Sequence, residues 1–307
     1  MNLGDEMETL KENLDQVKLK KVDLESSFYE ECNDPIFKKF VGKIKLSPEI
    51  LCKYTSLLKL SSEEFNNCQN CPGLVACQNQ INGFAYLPKI TNQKLEFRYK
   101  ACKYQLKNEE QLKYLDNIYL FDIPEEIKQA SMKEIYTNDK KRFEVIKWLK
   151  DFIDNYENRE KGLYLYGSFG CGKTYLIAAM FNELAKKNIK SAIIYWPEYL
   201  RDLKSSFNTD YNLKVNYIKK VPLLLIDDIG AETVTAWNRD EILGPIVQYR
   251  MQAKLPTFFT SNLDINSLEK HLSVSKDEVD SLKARRIIER IKQLTENKEM
   301  ISKNLRD

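Results

Sequence analysis

The sequence lacks the features of a membrane protein and of a secreted one. In its 307 residues, no uninterrupted apolar run approaches the roughly 18 residues that a membrane-spanning helix needs. The polar and acidic start, Asn2–Glu12, lacks the charged-then-apolar layout of a signal peptide. We therefore expect a cytoplasmic protein without a membrane partner.

An excess of one charge is also missing, and histidine is nearly absent. The chain has 48 Lys and Arg against 45 Asp and Glu, a net charge of +3, so DNA contact would need a local basic groove. The single histidine, His271, is expected to be structural or solvated rather than a metal ligand. Seven cysteines spread along a chain of this size suit a reducing compartment better than a disulfide scaffold.

The chain is long enough for two domains, and its residue composition changes along its length. We predict an N-terminal domain over 1–110, a linker over 111–134 and a second domain over 135–307. In the first domain, Ser47 and Pro48 predict a helix start, with the helix running through Leu58. An apolar stripe near the N-terminus predicts a helix that packs in this domain or binds a partner. The stripe consists of Leu3, Met7, Leu10, Leu14 and Val17.

Short apolar runs alternate with helical segments in the second domain. The runs cover 163–166, 191–196, 221–226 and 257–260. The segment 142–156 predicts an amphipathic helix whose apolar face is Phe143, Ile146, Leu149 and Ile153. Such alternation is typical of an α/β fold in which helices cover a parallel sheet. The first domain is expected to be mainly helical.

A glycine-rich segment follows the first of these runs and opens a helix. Glycines let backbone N–H groups close around phosphate oxygens, at the positive end of the helix dipole. Lys173 can reach the β- and γ-phosphates of a nucleoside triphosphate, and Thr174 can bind Mg²⁺. The alternative is a glycine-rich turn that arose by chance. The segment consists of Gly167, Ser168, Phe169, Gly170, Cys171, Gly172, Lys173 and Thr174.

Two adjacent carboxylates end the apolar run 223–226. Asp227 is placed to bind the same Mg²⁺ as Thr174, and Asp228 to orient the attacking water. Because hydrolysis needs a group that activates water, this pair favours hydrolysis of ATP to ADP and phosphate over a small-molecule kinase. The alternative is two solvated aspartates at a strand end.

Four further residues are candidates for contact with the nucleotide. Asn262 ends an apolar run where it can touch the γ-phosphate or the water, although Ser-Asn also starts loops for local reasons. In the basic segment 283–291, Arg290 is the preferred arginine finger supplied to a neighbouring subunit, with Arg286 in reserve. A solvated helix face or a DNA-phosphate contact explains these arginines equally well. Arg306 is a candidate second sensor.

Four cysteines in the first domain are candidate zinc ligands. Cys68 and Cys71 have the Cys-x-x-Cys spacing that lets two thiolates reach one tetrahedral metal, and Cys77 and Cys102 can complete a structural Zn²⁺ site. A redox pair or plain buried cysteines are the alternatives.

Together these motifs resemble the AAA+ class, and their detail resembles the bacterial primosomal helicase loader of the DnaI type. The resemblance rests on Lys161–Gly167, Tyr175-Leu176 and Ile226–Gly230, and on Asn67–Leu74, which is similar to the loaders' zinc-binding segment. It implies an ATP-regulated protein that binds a hexameric DnaB-type replicative helicase through its N-terminal domain, assembles on it and helps place it on single-stranded DNA. A transposition-helper ATPase and an adaptor locked by nucleotide are the alternative functions.

Overall fold

The chain divides into two compact units, Met1–Leu112 and Lys113–Asp307. The computed structural model describes residues 24–91, 94–137, 139–206, 210–274 and 280–305. The predicted N-terminal stripe and Arg306 lie outside these residues. Within the described ranges, we find no helix that combines the length and the apolar character needed to cross a bilayer.

The first unit packs short helices against a two-stranded hairpin. Its core contains Phe28, Phe37, Leu58 and Leu95, and the hairpin strands pair antiparallel with Phe84 opposite Ala101. The elements are α1 (Leu24–Glu31), α2 (Pro35–Val41), α3 (Pro48–Leu51), α4 (Thr55–Gln69), β1 (Phe84–Thr91), β2 (Lys94–Ala101) and α5 (Lys103–Leu112).

The helix predicted from Ser47 through Leu58 is interrupted. It begins at Pro48 as expected, but α3 ends at Leu51, and a 3-10 turn over Cys52–Tyr54 leads into α4. A buried carboxylate then joins α4 to the hairpin, because Glu64 accepts hydrogen bonds from the backbone N–H groups of Gln80 and Tyr86. This tertiary contact is not visible in the local pattern.

The second unit contains a six-stranded sheet whose paired strands are all parallel. This confirms the predicted α/β fold with a parallel sheet. The strand order is β3-β5-β6-β7-β4-β8. The strands are β3 (Ile118–Phe121), β4 (Gly162–Gly167), β5 (Ser191–Tyr195), β6 (Leu223–Asp227), β7 (Thr257–Ser261) and β8 (Thr295–Met300).

The segment predicted as a linker, 111–134, contributes to this sheet instead. Its residues Ile118–Phe121 pair with β5 at the sheet edge. The strand has four residues between charged segments, so its apolar run is too short to stand out in the sequence. The second unit therefore begins before the predicted boundary at residue 135.

Helices cover both faces of the sheet. Successive strand residues point to opposite sides, and the apolar residues on each side need a covering layer. Leu163, Leu165 and Phe258 face the helices formed by Lys140–Asp154 and Lys173–Lys186, whereas Tyr164, Ile226 and Phe259 face the helices of the other layer. The main helices are α6 (Glu125–Lys128), α7 (Lys140–Asp154), α8 (Lys173–Lys186), α9 (Trp196–Ser205), α10 (Tyr211–Lys220), α11 (Gly244–Gln252), α12 (Ile265–Ser273) and α13 (Ser281–Leu294), with a π-helical stretch at Trp237–Leu243.

The apolar face predicted for α7 is only partly correct. Ile146 and Leu149 are buried as expected, but Phe143 is 60% exposed, and the face is completed by Trp148 and Phe152. Trp148 also donates to Glu296 of β8. The true face is therefore rotated toward the aromatic residues, which stack on each other.

Arg250 lies where β6 and β7 begin, at the end of the sheet opposite the glycine-rich loop. This fully buried side chain donates to the carbonyls of Ile218, Val221 and Pro256 and to the hydroxyl of Thr257. Burial lowers the pKa of Arg250 to about 9, so the guanidinium remains a charged donor at neutral pH.

Replacing Arg250 with methionine should destabilise the second unit by at least about 3 kcal/mol, because several buried carbonyls lose their donors at once. Urea unfolding of the full chain measures this. Arg201→Met is the matched control, since Arg201 is an exposed partner of Glu198 and should change the free energy of unfolding by only about 0.5 kcal/mol. Equal losses in the two variants would contradict the assigned role of Arg250.

Candidate nucleotide-binding site

The glycine-rich loop joins the end of β4 to the start of α8, as predicted. Gly172 caps α8 in the left-handed conformation with φ of 85°, and α8 begins at Lys173. The first N–H groups of a helix lack partners within the helix and carry the positive end of its dipole. This loop therefore presents the backbone geometry of a phosphate-binding site.

The C-terminal segment after β8 lies against this loop. A Cβ atom on Gly167 would come within 2.2 Å of the Met300 carbonyl oxygen, and one on Gly170 within 1.8 Å of Asn304 Oδ1. The backbone N–H of Leu305 donates to the Gly170 carbonyl at 3.0 Å. Packing against backbone therefore requires glycine at Gly167, whereas at Gly170 the neighbour is a side chain and the backbone φ of 67° is what favours glycine.

A buried arginine supports the other side of the loop. Arg142 donates to the carbonyl of Cys171 and, at 3.0 Å, to that of Tyr136. Burial lowers the pKa of Arg142. This residue was not predicted as part of the site because it lies one helix upstream of the motif, where a basic residue at a helix start looks like a solvated one.

The lysine of the loop reaches three oxygen acceptors. Lys173 Nζ lies 3.1 Å from the Gly167 carbonyl, 2.8 Å from the Ser168 carbonyl and 2.9 Å from Asn262 Oδ1. Its side chain is largely buried. The ammonium group is therefore held at the mouth of the loop, in contact with the residue predicted to sense the nucleotide.

The first carboxylate of the pair is buried among hydroxyl groups. Thr174 Oγ1 and Thr260 Oγ1 each donate to Asp227 Oδ1 at 2.6 Å. Burial raises the pKa of Asp227, while these two hydroxyls oppose that rise. The structure thus brings together the two residues predicted to bind Mg²⁺, and it adds Thr260, which was not predicted as a site residue.

The second carboxylate sits on a left-handed backbone. Asp228 has φ of 57°, an uncommon conformation for a residue with a side chain. Asn262 Nδ2 donates to Asp228 Oδ1 at 3.2 Å. Since lysine only donates and a carboxylate only accepts, the amide of Asn262 has one orientation, with oxygen on Lys173 and nitrogen on Asp228.

The remaining loop residues have different environments. Phe169 is 77% exposed, whereas the Cys171 side chain is fully buried. Cys171 Sγ donates to the Ser168 carbonyl at 2.9 Å. Cys171 therefore packs beneath the loop, and Phe169 is the loop side chain presented outward.

The two candidate finger arginines differ in exposure. Arg290 is partly buried and donates to the Gly244 carbonyl at 3.4 Å. Arg286, one turn earlier on α13, is exposed. Of the two, Arg286 is the one whose side chain is open to a neighbouring molecule.

The four cysteines predicted to bind zinc are all partly buried in the first unit. Across the described ranges, no three Cys, His, Asp or Glu side chains are arranged to hold a metal ion, so the predicted four-thiolate site is not present as a formed ligand set. Cys71 Sγ donates to the Gly73 carbonyl at 3.5 Å. Burial raises the pKa of Cys68, and the other three thiols of the set raise it further.

The single histidine packs beside the loop that follows β6. His271 Nε2 lies 3.6 Å from Glu232 Oε1, and the other oxygen of Glu232 accepts from the Gly230 N–H at 2.7 Å. The Glu232 carboxylate raises the pKa of His271. His271 therefore faces a carboxylate and forms an ion pair with it when the imidazole is protonated.

The stability supplied by this ion pair should depend on pH. A histidine whose pKa is raised on folding stabilises the protein below its unfolded pKa, near 6.5, and loses that contribution as pH rises through the folded value. His271→Gln should therefore lower the free energy of unfolding more at about pH 6 than at about pH 8.5. Urea unfolding at both pH values measures the difference, and a difference that does not vary with pH would show that the pair is not ionic.

Comparison with known proteins agrees with this geometry. The profile of the bacterial DnaA ATPase domain family matches residues 149–248. The replicative helicase loader DnaI of Bacillus subtilis is 37% identical over 234 residues, which cover 75% of each chain. A crystal structure of DnaI superposes with a TM-score of 0.56 at 47% identity, covering 62% of this chain and 98% of that one. A second crystal structure, of a protein from Streptococcus pyogenes serotype M3, gives a TM-score of 0.55 at 33% identity, covering 64% of this chain and 98% of that one.

The parallel sheet, the phosphate loop and the paired carboxylates define an AAA+ ATPase domain. The similarity to DnaI extends over three quarters of the chain and therefore beyond that domain. The chain belongs to the family of DnaI-type replicative helicase loaders.

Proposed function

We propose that this chain binds ATP at the phosphate loop, hydrolyses it and uses that reaction to help place a hexameric replicative helicase on single-stranded DNA. The observation that carries the proposal is the hydrogen-bonded series Lys173, Asn262 and Asp228, which lies next to the pair Thr174 and Asp227. A cation, an amide and two carboxylates at one sheet edge are the groups that phosphoryl transfer to water requires.

Each residue of the site would have a separate role in ATP hydrolysis. Lys173 would exchange the loop carbonyls for phosphate oxygens, while the N–H groups at the start of α8 bind the same phosphates. Thr174 and Asp227 are the residues that would hold Mg²⁺, which neutralises charge on the phosphates. Asp228 would accept a proton from the attacking water as phosphate leaves ADP, with Asn262 holding the carboxylate and the water.

Assembly on the helicase is proposed to complete the site. An arginine from a neighbouring copy would stabilise the transferring phosphoryl group, as in other ATPases that hydrolyse only when assembled. Arg290 and Arg286 are the candidates. The sequence pattern favours Arg290, but Arg290 is partly buried and donates to the Gly244 carbonyl, whereas Arg286 is exposed. This difference in exposure supports Arg286 as the arginine supplied to a neighbouring copy.

Structural zinc in the first unit is a separate proposal. The chemistry of the four cysteines fits it, because Cys77 Sγ accepts from the Gly83 N–H and Cys102 Sγ from the Gln105 N–H, both at 3.4 Å. N–H groups directed at sulfur stabilise thiolates, the form that binds metal. A closed set of four thiolates would stabilise the fold and perform no reaction.

Metal analysis of the full chain should find about one zinc per chain. Cys77→Ser should lose it and unfold the first unit, while ATP binding in the second unit persists. Cys32→Ser is the control, because Cys32 packs against the apolar core and should keep the metal. A metal-free wild-type protein with a folded first unit would contradict the proposal.

The helicase proposal is tested with the full chain, purified replicative helicase from the same cell and circular single-stranded DNA to which a short oligonucleotide is annealed. Expected results are a stable complex of the chain with the helicase and, with ATP present, faster release of the oligonucleotide when the chain is added. Helicase that neither binds the chain nor unwinds faster in its presence would contradict the proposal.

A further inference from the structure

Thr260 is hydrogen-bonded through one hydroxyl group to the Asp227 carboxylate and to the backbone of Asp228. It lies on β7, whose neighbours in the sheet are β6 and β4, and its side chain is 2% exposed. Thr260 Oγ1 is 2.6 Å from Asp227 Oδ1 and 2.9 Å from the backbone nitrogen of Asp228. A single buried hydroxyl group is therefore hydrogen-bonded to both residues of the pair.

The direction of both hydrogen bonds is determined by chemistry. The backbone N–H of Asp228 can only donate, so the threonine oxygen accepts there. The hydroxyl has one proton, and that proton then points to Asp227 Oδ1. The hydroxyl is therefore fully engaged, and its rotation is fixed by the two residues on which the proposed reaction depends.

The contact with Asp228 stabilises an unfavourable backbone conformation. A non-glycine residue at φ of 57° costs on the order of 1 kcal/mol or more unless its surroundings hold it. Two neighbouring contacts across the same strands assist, since Ile229 N donates to the Thr260 carbonyl at 3.0 Å and Ser261 Oγ donates to the Ile229 carbonyl at 2.6 Å. The start of the turn after β6 is thus held by consecutive residues of β7.

The contact with Asp227 selects one of its two oxygens. Thr174 and Thr260 both donate to Oδ1, and a carboxylate oxygen has about two acceptor positions. Both hydroxyl groups therefore engage Oδ1, and the carboxylate would bind a cation through Oδ2. The hydrogen bond from Thr260 does not depend on Thr174, so it would still orient the carboxylate if Thr174 bound a metal ion through its own oxygen.

We infer that Thr260 is a positioning residue for ATP hydrolysis: its hydroxyl orients Asp227 toward Mg²⁺ and holds the Asp228 backbone so that its carboxylate faces the attacking water. This inference rests on the proposed function and adds a residue to it. Thr260 touches neither phosphate nor water itself. It acts through Asp227 and Asp228.

Variants of the full chain separate this role from simple packing. Thr260→Val keeps the shape and removes the hydroxyl, and Thr260→Ser restores the hydroxyl. Thr257→Val is the matched control on the same strand, because Thr257 is also buried but its hydroxyl contacts Arg250 and the Leu255 carbonyl at the other end of β7. Thermal unfolding of each variant records the structural cost.

Two measurements are made on each variant: affinity for ATP with and without Mg²⁺, and the kcat and KM of ATP hydrolysis. Thr260→Val should bind ATP without Mg²⁺ within about twofold of wild type, and it should lose most of the affinity that Mg²⁺ adds. Its kcat should fall roughly ten- to a hundredfold, the effect of losing a hydrogen bond to a charged group. Thr260→Ser should recover to within about threefold of wild type, since it restores that bond.

The inference is overturned if Thr260→Val matches wild type, or if Thr257→Val causes the same loss of Mg²⁺ dependence. It is also overturned if Thr260→Ser is as impaired as Thr260→Val, because the methyl group rather than the hydroxyl would then matter. Should Thr260→Val not fold, Thr260→Cys replaces it, since a thiol is a weak donor of similar size. A wild-type chain that does not hydrolyse ATP would instead remove the proposed function itself.

Discussion

Replacing Lys173 with alanine should abolish ATP turnover and weaken ATP binding strongly. The ammonium group of Lys173 already contacts three oxygen atoms around the loop, and the β- and γ-phosphates would take the place of these acceptors. Removing a charge-assisted contact to the transferring group costs on the order of a hundred- to a thousandfold in turnover. Phosphate release and fluorescent nucleotide titration measure the two effects.

The control is Lys186→Ala, at the far end of the same helix, where the side chain pairs with Glu183 at the surface. It should behave as wild type in both assays, because a surface pair contributes little. If Lys173→Ala also retained wild-type binding and turnover, the loop would not be the nucleotide site.

Replacing Asp228 with asparagine should preserve ATP binding and eliminate hydrolysis. Asparagine has nearly the same shape and tolerates the left-handed conformation at φ of 57°. Its backbone N–H can still donate to Thr260, but its side chain cannot accept a proton from water. The expected loss in kcat is on the order of a hundred- to ten-thousandfold, the usual effect of a general base.

Asp116→Asn is the matched substitution at an exposed site and should leave both binding and turnover unchanged. Hydrolysis by Asp228→Asn at the wild-type rate would assign the water-activating role to another residue. Loss of binding in Asp228→Asn would show that Asp228 shapes the nucleotide pocket rather than the chemical step.

The parts of the site that are contiguous in the chain could be predicted from sequence. The loop from Gly167 to Thr174 lies between a strand and a helix that both have clear apolar patterns. Asp227 ends a fully buried strand and Asp228 follows it. Because the carboxyl ends of parallel strands meet at one edge of the sheet, their approach to the loop follows from the fold class.

The supporting residues could not be predicted in this way. Thr260 becomes part of the site only because β7 lies between β6 and β4, and strand order is not written in local periodicity. Arg142 and the segment 300–305 reach the loop from distant positions in the chain. In the sequence they look like a helix start and a polar chain end.

The two edge strands of the sheet, β3 and β8, could not be predicted because neither has a long apolar run. β3 has four residues, and β8 has the mostly polar sequence Thr-Glu-Asn-Lys-Glu-Met. Edge strands have a neighbour on one side only and need less apolar sequence. Phe143 shows the converse difficulty, since an apolar residue in register with a helix face is nevertheless exposed.

Equilibrium binding of ATP to the full wild-type chain, with and without Mg²⁺, tests the central claim most directly. The account predicts saturable binding of about one ATP per chain, tightened by Mg²⁺ because Thr174 and Asp227 hold the ion beside the phosphates. Absence of saturable binding, or binding that Mg²⁺ does not change, would contradict it.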